Sequence, residues 1–535
     1  MKRTSALTLW CITTMLLRPL SAPAFETWTH GLINERAASQ LVMSGTGLTF
    51  DDFLRFSLLF PDGLDTALNG QTISRWLNTG GVAEDQYLPE ILGQKLAEIA
   101  GGVTRSPRHF HTPLKTWDQS GLNLGGIQFE SSPRWAQLPD QGFTGKAAWG
   151  DARSTYYQAL TASDPGQRAT LFASTFKILG QLMHLVADLG SVAHTRNAQH
   201  ILGDPFEEFV GNPLNEPLIN GFLGMDPAQV RLFPTNDAVA TVPVARLWDT
   251  DKYNGSNPDI TTQTTPNGAT VGLAEFTSAN FFSRNTISKI TGADPVLPHP
   301  AIDQLVPGPI ANQRQYWSRN GPGIPITHMA VEGAFNLFVP STWWRFSLDD
   351  QVFQDYATAL LPRAIGYSAG LIDYFFRGRI NISSLLPEER PPSNPSTTMT
   401  LQYLFNTTPD EDTGNGTLQL VLLYRGQHNT TDSFSNTVSS QTSGSISNSP
   451  QDATFSFSSL PFPATMGADC SPHPSESSWG LILCASYANY DALLVYRGPL
   501  GAETDSVIVS TCHVTFERTQ FEWGLQLSMY SGELC

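Results

Sequence analysis

Between residues 180 and 210 the chain reads GQLMHLVADLGSVAHTRNAQHILGDPFEEFV, with three histidines and several carboxylates among Leu, Val, Met and Ala. His184 and Asp188 are four residues apart and share one face of a helix. Lys177, Gln181, His184 and Asp188 extend that face as a polar stripe on a segment that also carries Phe172, Phe176, Leu179, Leu182 and Met183. A helix that is apolar almost all round is buried. Burying a neutral polar group without a partner costs on the order of 2–7 kcal/mol. A single buried histidine is ordinarily a hydrogen-bonded core residue, and one HxxxD pair arises easily by chance. His184, Asp188, His194, His200 and Glu207 together point further, because imidazole and carboxylate ligands in combination suit Zn2+ or a similar divalent ion.

The elements that must position these groups follow from the rest of the chain. HGLINERAASQLV, beginning at His30, has the pattern of an amphipathic helix, and His30 taken alone is an exposed residue at its start. Residues 44 to 104 contain helical segments and turns, with Gly80 and Gly81 making a tight approach to the acidic pair Glu84 and Asp85. In HFHTP, Pro113 favours an extended residue before it, so His109 and His111 are expected on a loop. Trp117, Trp135 and Trp149 are expected in the core rather than along a substrate groove. GLAEFTSANFFSRNTI (272–287) has a helical pattern with an aromatic face, and residues 348–378 predict a helix kinked at Pro362.

After the Pro/Ser-rich stretch 390–398, a linker by composition, the pattern changes. TMTLQYLF, TLQLVLLYR, ATFSFSS, WGLILCASY, DALLVYRG, SVIVSTCHVTF and WGLQLSMY are short, often alternating runs separated by turn residues, which predicts an antiparallel β-sandwich over 399–535. The Ser/Thr/Asn-rich stretch 427–450 is expected as a long loop.

Lys and Arg total 31 against 48 Asp and Glu, a formal net charge of −17. That balance argues against a general nucleic-acid binder, and no stable nucleic-acid binding is expected. Residues 1–24 have the form of a secretory signal: Lys2 and Arg3, an apolar run from Ala6 to Leu17 too short to span a bilayer, and Ala22-Pro23-Ala24 as a cleavage site. Trp10 before Cys11 does not fit a lipoprotein signal, and no later stretch is expected to cross a membrane. Cys470, Cys484, Cys512 and Cys535 would remain, an even number in an exported chain, predicting two disulfides with three possible pairings. The expected location is secreted, or extracytoplasmic.

The order and types of His30, Asp85, His109, His184, Asp188, His194, His200 and Glu207 resemble the zinc-dependent phospholipase C and fungal single-strand nuclease superfamily. The matching pieces are Phe25 with THGLIN around His30, AED at Asp85, HFHTP at His109, HLVADLGSVAH from His184 to His194, and DPFEEFV around Glu207, over residues 25 to about 210. The step from Phe25 to His30 is like that of the nuclease branch, and HFHTP is like the phospholipase branch. The resemblance implies an all-α catalytic domain over 25–389 followed by the C-terminal all-β sandwich. It also implies two to three zinc ions: one on Asp85, His109, His184 and Asp188; a second on His194, His200 and Glu207; and a third on the Phe25 amine and carbonyl, His30 and a bridging Asp188. Such clusters hydrolyse phosphate esters, because metals about 3.5–4 Å apart activate a water and neutralise phosphoryl charge. Asp85 would also serve as the catalytic base or water-orienting group, and His111 would stand behind the ligands.

Two positions depart from the family's pattern. The second-zinc histidine ordinarily lies four residues before its glutamate; that position is Gly203 here, and His200 lies seven before Glu207. Asp204 and Glu208 keep the four-residue step and are the substitute pair. Gln86 follows Asp85 where choline-preferring phospholipases carry an aromatic residue, so choline preference is not implied.

The resulting expectation is an exported zinc-dependent phosphodiesterase of phospholipase C type, acting on phospholipid head groups, with peripheral membrane contact through the C-terminal domain. The alternatives are a secreted single-strand nuclease or nucleotidase with the same metals, and a non-catalytic surface protein stabilised by them. Gly366-Tyr367-Ser368-Ala369-Gly370 matches the serine-hydrolase elbow G-x-S-x-G, but the sequence before it is helical in pattern, which favours close helix packing instead.

Overall fold

The structure, a computed structural model, describes residues 27–86, 105–198, 203–221, 243–261, 271–287, 297–333, 345–389, 397–405, 414–426, 436–444, 451–457, 470–472, 482–521 and 526–527, with residue 411 and without 125, 143, 144 and 322. The signal-like segment, Phe25, His200 and Cys535 lie outside the described residues.

The chain has a helical N-terminal region and C-terminal strands gathered in sheets. Helix α1 is Thr27–Gln40, α2 Phe50–Ser57 and α3 Ile73–Gln86; Trp149–Thr161 is α4 and Pro165–Ala187 is α5. Phe172, Phe176, Leu179, Leu182 and Met183 of α5 are all buried, as its nearly continuous apolar pattern requires. Contrary to expectation, Pro165–Gly190 is long and apolar enough by composition to cross a membrane; 72% of its apolar window is buried in the protein, as in the core helix of a globular domain. The short helices α6 (Val192–Thr195) and α7 (Pro205–Val210) follow, then α8 (Leu273–Asn280) and α9 (Asp350–Phe375). The single helix expected over 272–287 is interrupted at Phe281, whose backbone is extended, before a short turn of helix at Arg284–Ile287. Helix α9 runs through Pro362. Trp135 and Trp149 are core residues, and Trp117 is half-buried.

Two close approaches fix α3 against its neighbours. A Cβ on Gly80 would lie 2.1 Å from the Lys177 carbonyl oxygen and 2.8 Å from Gly180 Cα, so α3 and α5 pack backbone to backbone. Asn34 of α1 donates to the carbonyls of Leu77 and Gly180, each at 3.0 Å. Gly80→Ala is therefore expected to lower stability by about 1–3 kcal/mol through overpacking. Urea unfolding checks this, and an unchanged midpoint would refute the packing argument.

The expected all-α character of 25–389 needs correction. A four-stranded antiparallel sheet runs β1 (Leu305–Ala311), β2 (Arg314–Arg319), β3 (Ala330–Glu332) and β4 (Phe346–Ser347) in sequence order. Pro307 and Pro309 disguise the first strand, which accommodates them beside a register shift between Pro307 and Ile310. Ile380–Glu389, expected with the helices, is strand β5 and pairs with β6 (Thr397–Phe405), which includes the last two residues of the expected linker.

The C-terminal strands continue with β7 (Gly416–Gly426), β8 (Asn436–Gly444), β9 (Gln451–Phe457), β10 (Cys470–Pro472), β11 (Ile482–Leu500), β12 (Glu503–Phe521) and β13 (Gln526–Leu527). One sheet has the order β9-β6-β5; the other has β8-β7-β11-β12-β13, with β10 also on β11. Alternate residues of the two sheets meet in one apolar core, including Leu401, Tyr403, Leu420, Phe455, Leu494 and Val514. Part of the expected long loop 427–450 is strand β8, which forms the edge of its sheet. WGLILCASY and DALLVYRG, expected as two runs, join in the single strand β11. Cys470 and Cys484 are opposite each other in the β10–β11 register, and Cys512 is disulfide-bonded.

Two compact units result, and they do not divide the chain at a single linker. One comprises residues 1–42, 74–151 and 176–374; the other comprises 43–73, 152–175 and 375–535. Within the second unit, the face of β7 turned away from the sandwich core is also apolar, with Val421 and Leu423 buried. Tyr157 of α4 reaches Gln419 on that face at 2.9 Å. A sheet buried on both faces needs cover on both, and segments drawn from earlier in the chain supply it.

Candidate metal centre

Four elements of the first unit bring the expected ligands together. α1 carries His30 and the C-terminal end of α3 carries Asp85. His109 follows the short turn Ser106–Arg108. α5 carries His184, and Asp188 opens a tight turn directly after α5 ends at Ala187. His30, far from being exposed, is fully buried, as are His109, His184 and Asp188, while Asp85 is 5% exposed.

Asp188 is the point of convergence. Its Oδ1 lies 3.1 Å from His30 Nε2. Its Oδ2 lies 2.9 Å from His109 Nδ1 and 3.2 Å from His184 Nε2. His109 Nδ1 and His184 Nε2 are 3.3 Å apart, and Asp85 Oδ1 stands 3.6 Å and 3.8 Å from those same two nitrogens. Ligands on a tetrahedral zinc with bonds of about 2.0–2.1 Å lie roughly 3.3 Å from one another. The separations here bracket that value. Neither oxygen of Asp85 or Asp188 has an aligned hydrogen-bond donor among the described residues. Buried carboxylates are ordinarily satisfied, so the donor set fits a metal ion. The far side of His184 is anchored, with Nδ1 2.7 Å from the Gly81 carbonyl oxygen, which fixes the tautomer and leaves Nε2 toward the cluster.

His194 of α6 and Glu207 of α7 form the adjoining pair, with His194 Nε2 3.2 Å from Glu207 Oε1. Ser191 Oγ donates to that same oxygen. The rings of His109 and His194 stack with centroids 6.3 Å apart. The substitute pair is placed otherwise: Asp204 caps α7, accepting from the Phe206 and Glu207 amides, and Glu208 is exposed.

Electrostatics follow from burial and crowding. Burial and repulsion from His184 bring His30 down to about 4, and burial lowers His109. Burial also works to lower His184, but the Asp188 and Asp85 carboxylates outweigh it and carry the imidazole up to about 9. In the same way Asp188 and Glu207 overcome burial and raise His194 to about 9. Burial raises the Asp85 carboxyl. Against its own burial, Asp188 is held well below the usual carboxylate range by the surrounding imidazoles, His184 foremost. His184 and His194 therefore hold protons at pH 7 in the metal-free protein, and a metal must displace them. The Asp85 carboxyl, raised to about 8, holds a third, so zinc loading at pH 7 is expected to release about three protons per chain, and apparent affinity to rise with pH until about 9. Calorimetric titration in buffers of different ionisation enthalpy measures this; uptake with no proton release would refute it.

His111 does not join the ligand cluster. Its Nε2 lies 2.7 Å from Asp249 Oδ2, and its backbone N–H donates to the His194 carbonyl. Burial lowers His111 to about 4 and raises Asp249 to about 7. Glu275 pins the segment after Asp249, accepting from the amides of Thr250, Lys252 and Tyr253. Asp249 was not expected from sequence; it is 138 residues from its partner. Ser368 lies inside α9, fully buried, with Oγ 3.5 Å from the Met183 carbonyl oxygen, so GYSAG is a helix-packing segment and not a nucleophile elbow.

No protein-family model and no curated protein matches the chain. Among solved structures, alpha-toxin of Clostridium perfringens from avian strain SWCP aligns over 96% of this chain and 99% of its own, at 9% identity and a TM-score of 0.25. Alpha toxin from Clostridium absonum aligns over 95% and 97%, also at 9% identity and a TM-score of 0.25. Likenesses this low carry no argument about fold or activity, and the functional reading rests on the residues themselves.

Proposed function

We propose that this protein is an exported zinc-dependent phosphodiesterase of phospholipase C type, acting on phospholipid head groups. The observation that carries the proposal is the convergence of His30, His109 and His184 on Asp188 at zinc-like separations in a buried setting, with Asp85 Oδ1 standing 3.6 and 3.8 Å from His109 Nδ1 and His184 Nε2. In this reading Asp85, His109, His184 and Asp188 would hold one ion, and Asp188 would also contribute to a second with His30 and the Phe25 terminus. His194 and Glu207, with His200, would hold another. Bound zinc supplies an activated water and neutralises charge on the phosphoryl oxygens.

The chain's own groups do the rest. Asp188 keeps its charge among the imidazoles and fixes the spacing of the ligands. Asp85, the least buried of the carboxylates around Asp188, orients the attacking water and takes its proton. The Gly81 carbonyl holds His184 in its ligating tautomer. Residues 1–24 direct export, and the C-terminal sandwich makes the peripheral contact with a lipid surface.

The test is elemental analysis of the processed protein together with turnover of bis-p-nitrophenyl phosphate, phosphatidylcholine vesicles and single-stranded DNA, before and after chelation. Two to three zinc ions per chain and chelator-sensitive release of phosphorylated head groups support the proposal. Cleavage of DNA alone replaces it with the nuclease reading. A metal-replete protein that cleaves none of the three overturns hydrolysis altogether.

A further inference from the structure

Immediately before Asp85 on α3 stands a second carboxylate with a different environment. Glu84 is fully buried and accepts hydrogen bonds on both of its oxygens. The Arg105 guanidinium grips it, with Nε and Nη2 at 3.0 and 2.7 Å from Oε1 and Nη2 at 2.6 Å from Oε2. Gln181 donates to Oε2 at 2.9 Å and Trp135 Nε1 to Oε1 at 3.2 Å. Arg105 is itself fully buried, so the pair adds no uncompensated charge to the interior. Gln181 belongs to the polar stripe of α5 that also carries His184.

His109 shows what this carboxylate is for. Its Nδ1 faces Asp188, Asp85 and His184. Its other nitrogen, Nε2, is buried with no hydrogen-bond partner among the described residues, and Glu84 Oε1 lies 3.8 Å from it. A neutral imidazole carries one proton. When Nδ1 offers its lone pair to a metal, that proton sits on Nε2 and needs an acceptor, and a carboxylate in that position both fixes the ring and raises its basicity as a ligand.

We propose that Glu84 is the positioning residue of the centre: it accepts the His109 Nε2–H and thereby fixes the tautomer and ring orientation that present Nδ1 to the metal. The inference rests on the metal-centre reading and extends it to a residue that touches neither metal nor substrate. On loading, a ring movement of about 1 Å brings the pair within ordinary hydrogen-bond distance.

The experiment compares wild-type and Glu84→Gln proteins by zinc affinity in chelator competition, by the visible spectrum of the Co2+-substituted protein, and by the melting temperature of the metal-free form. Glu84→Gln is expected to weaken zinc binding about 10–100-fold, as loss of such outer partners does, and to shift the Co2+ bands. A merely structural role would lower the metal-free melting temperature and leave the Co2+ spectrum unchanged; that result, or equal zinc affinity, overturns the inference while the metal centre stands. A wild-type protein that takes up no metal overturns both. Should the variant not fold, the zinc-loaded wild-type structure decides. A His109 Nε2–Glu84 Oε1 distance of about 3 Å with Nδ1 on the metal supports the proposal, and ligation through Nε2 refutes it.

Discussion

Asp188→Asn is expected to cost about a thousandfold in phosphodiester turnover and at least one zinc ion per chain, with secondary structure intact. Three imidazoles lie within 3.2 Å of the two Asp188 oxygens. The amide keeps the shape and loses the charge, and its NH2 would place donors against nitrogens that must offer lone pairs. Removing one partner from a buried charged set costs about 3–5 kcal/mol, and each 1.36 kcal/mol is tenfold in rate. Zinc content by elemental analysis, turnover and far-ultraviolet circular dichroism measure the three parts. Turnover within about threefold of wild type would remove Asp188 from the centre.

Chelation should lower stability as well as activity. In the metal-free protein, Asp188 stays ionised and His184 and His194 stay protonated at pH 7 in a fully buried cluster. Neither oxygen of Asp85 has a hydrogen-bond donor among the described residues. An ion that binds only the folded chain contributes RT ln(1 + [L]/Kd), or about 4 kcal/mol at a thousandfold excess over Kd. The melting temperature is expected to fall by several degrees on dialysis against chelator and to return on adding zinc. A melting curve indifferent to both treatments would mean that the histidines and carboxylates satisfy one another without a metal.

The sequence made the centre of this site legible because helical spacing is local: His184 and Asp188, four apart on an apolar segment, needed no partner to be seen. His30, Asp85 and His109 were visible only through their order along the chain, since nothing local distinguishes them. Glu84 was hidden by its neighbour. Adjacent residues on a helix face different ways, and only the fold shows Arg105, Gln181 and Trp135 gathered around one of the two. Asp249 was hidden by distance along the chain. In the C-terminal half, alternation revealed the strands with apolar inner faces. It missed β8, whose polar composition suits the edge of a sheet. It also broke β11 between Tyr487 and Asp491, where Asn489 resembles a turn residue but stands opposite Thr515 in the ladder.

The segments borrowed by the second unit govern when that unit can form during synthesis. Thr511 Oγ1 on β12 donates to the Phe56 carbonyl on α2, a contact spanning 455 residues. Arg153 of α4 grips Glu503 with two hydrogen bonds, both groups being buried. Residues 43–73 and 152–175 therefore leave the ribosome long before the strands they cover exist, and they wait with apolar surface unmatched. Such high contact order slows folding and exposes the nascent chain to aggregation. It also sets where the gene can be cut. A fragment beginning at the expected linker would strand Glu503 without Arg153 and leave Val421 and Leu423 facing water, so the C-terminal half is not a module that can be lifted out at residue 390.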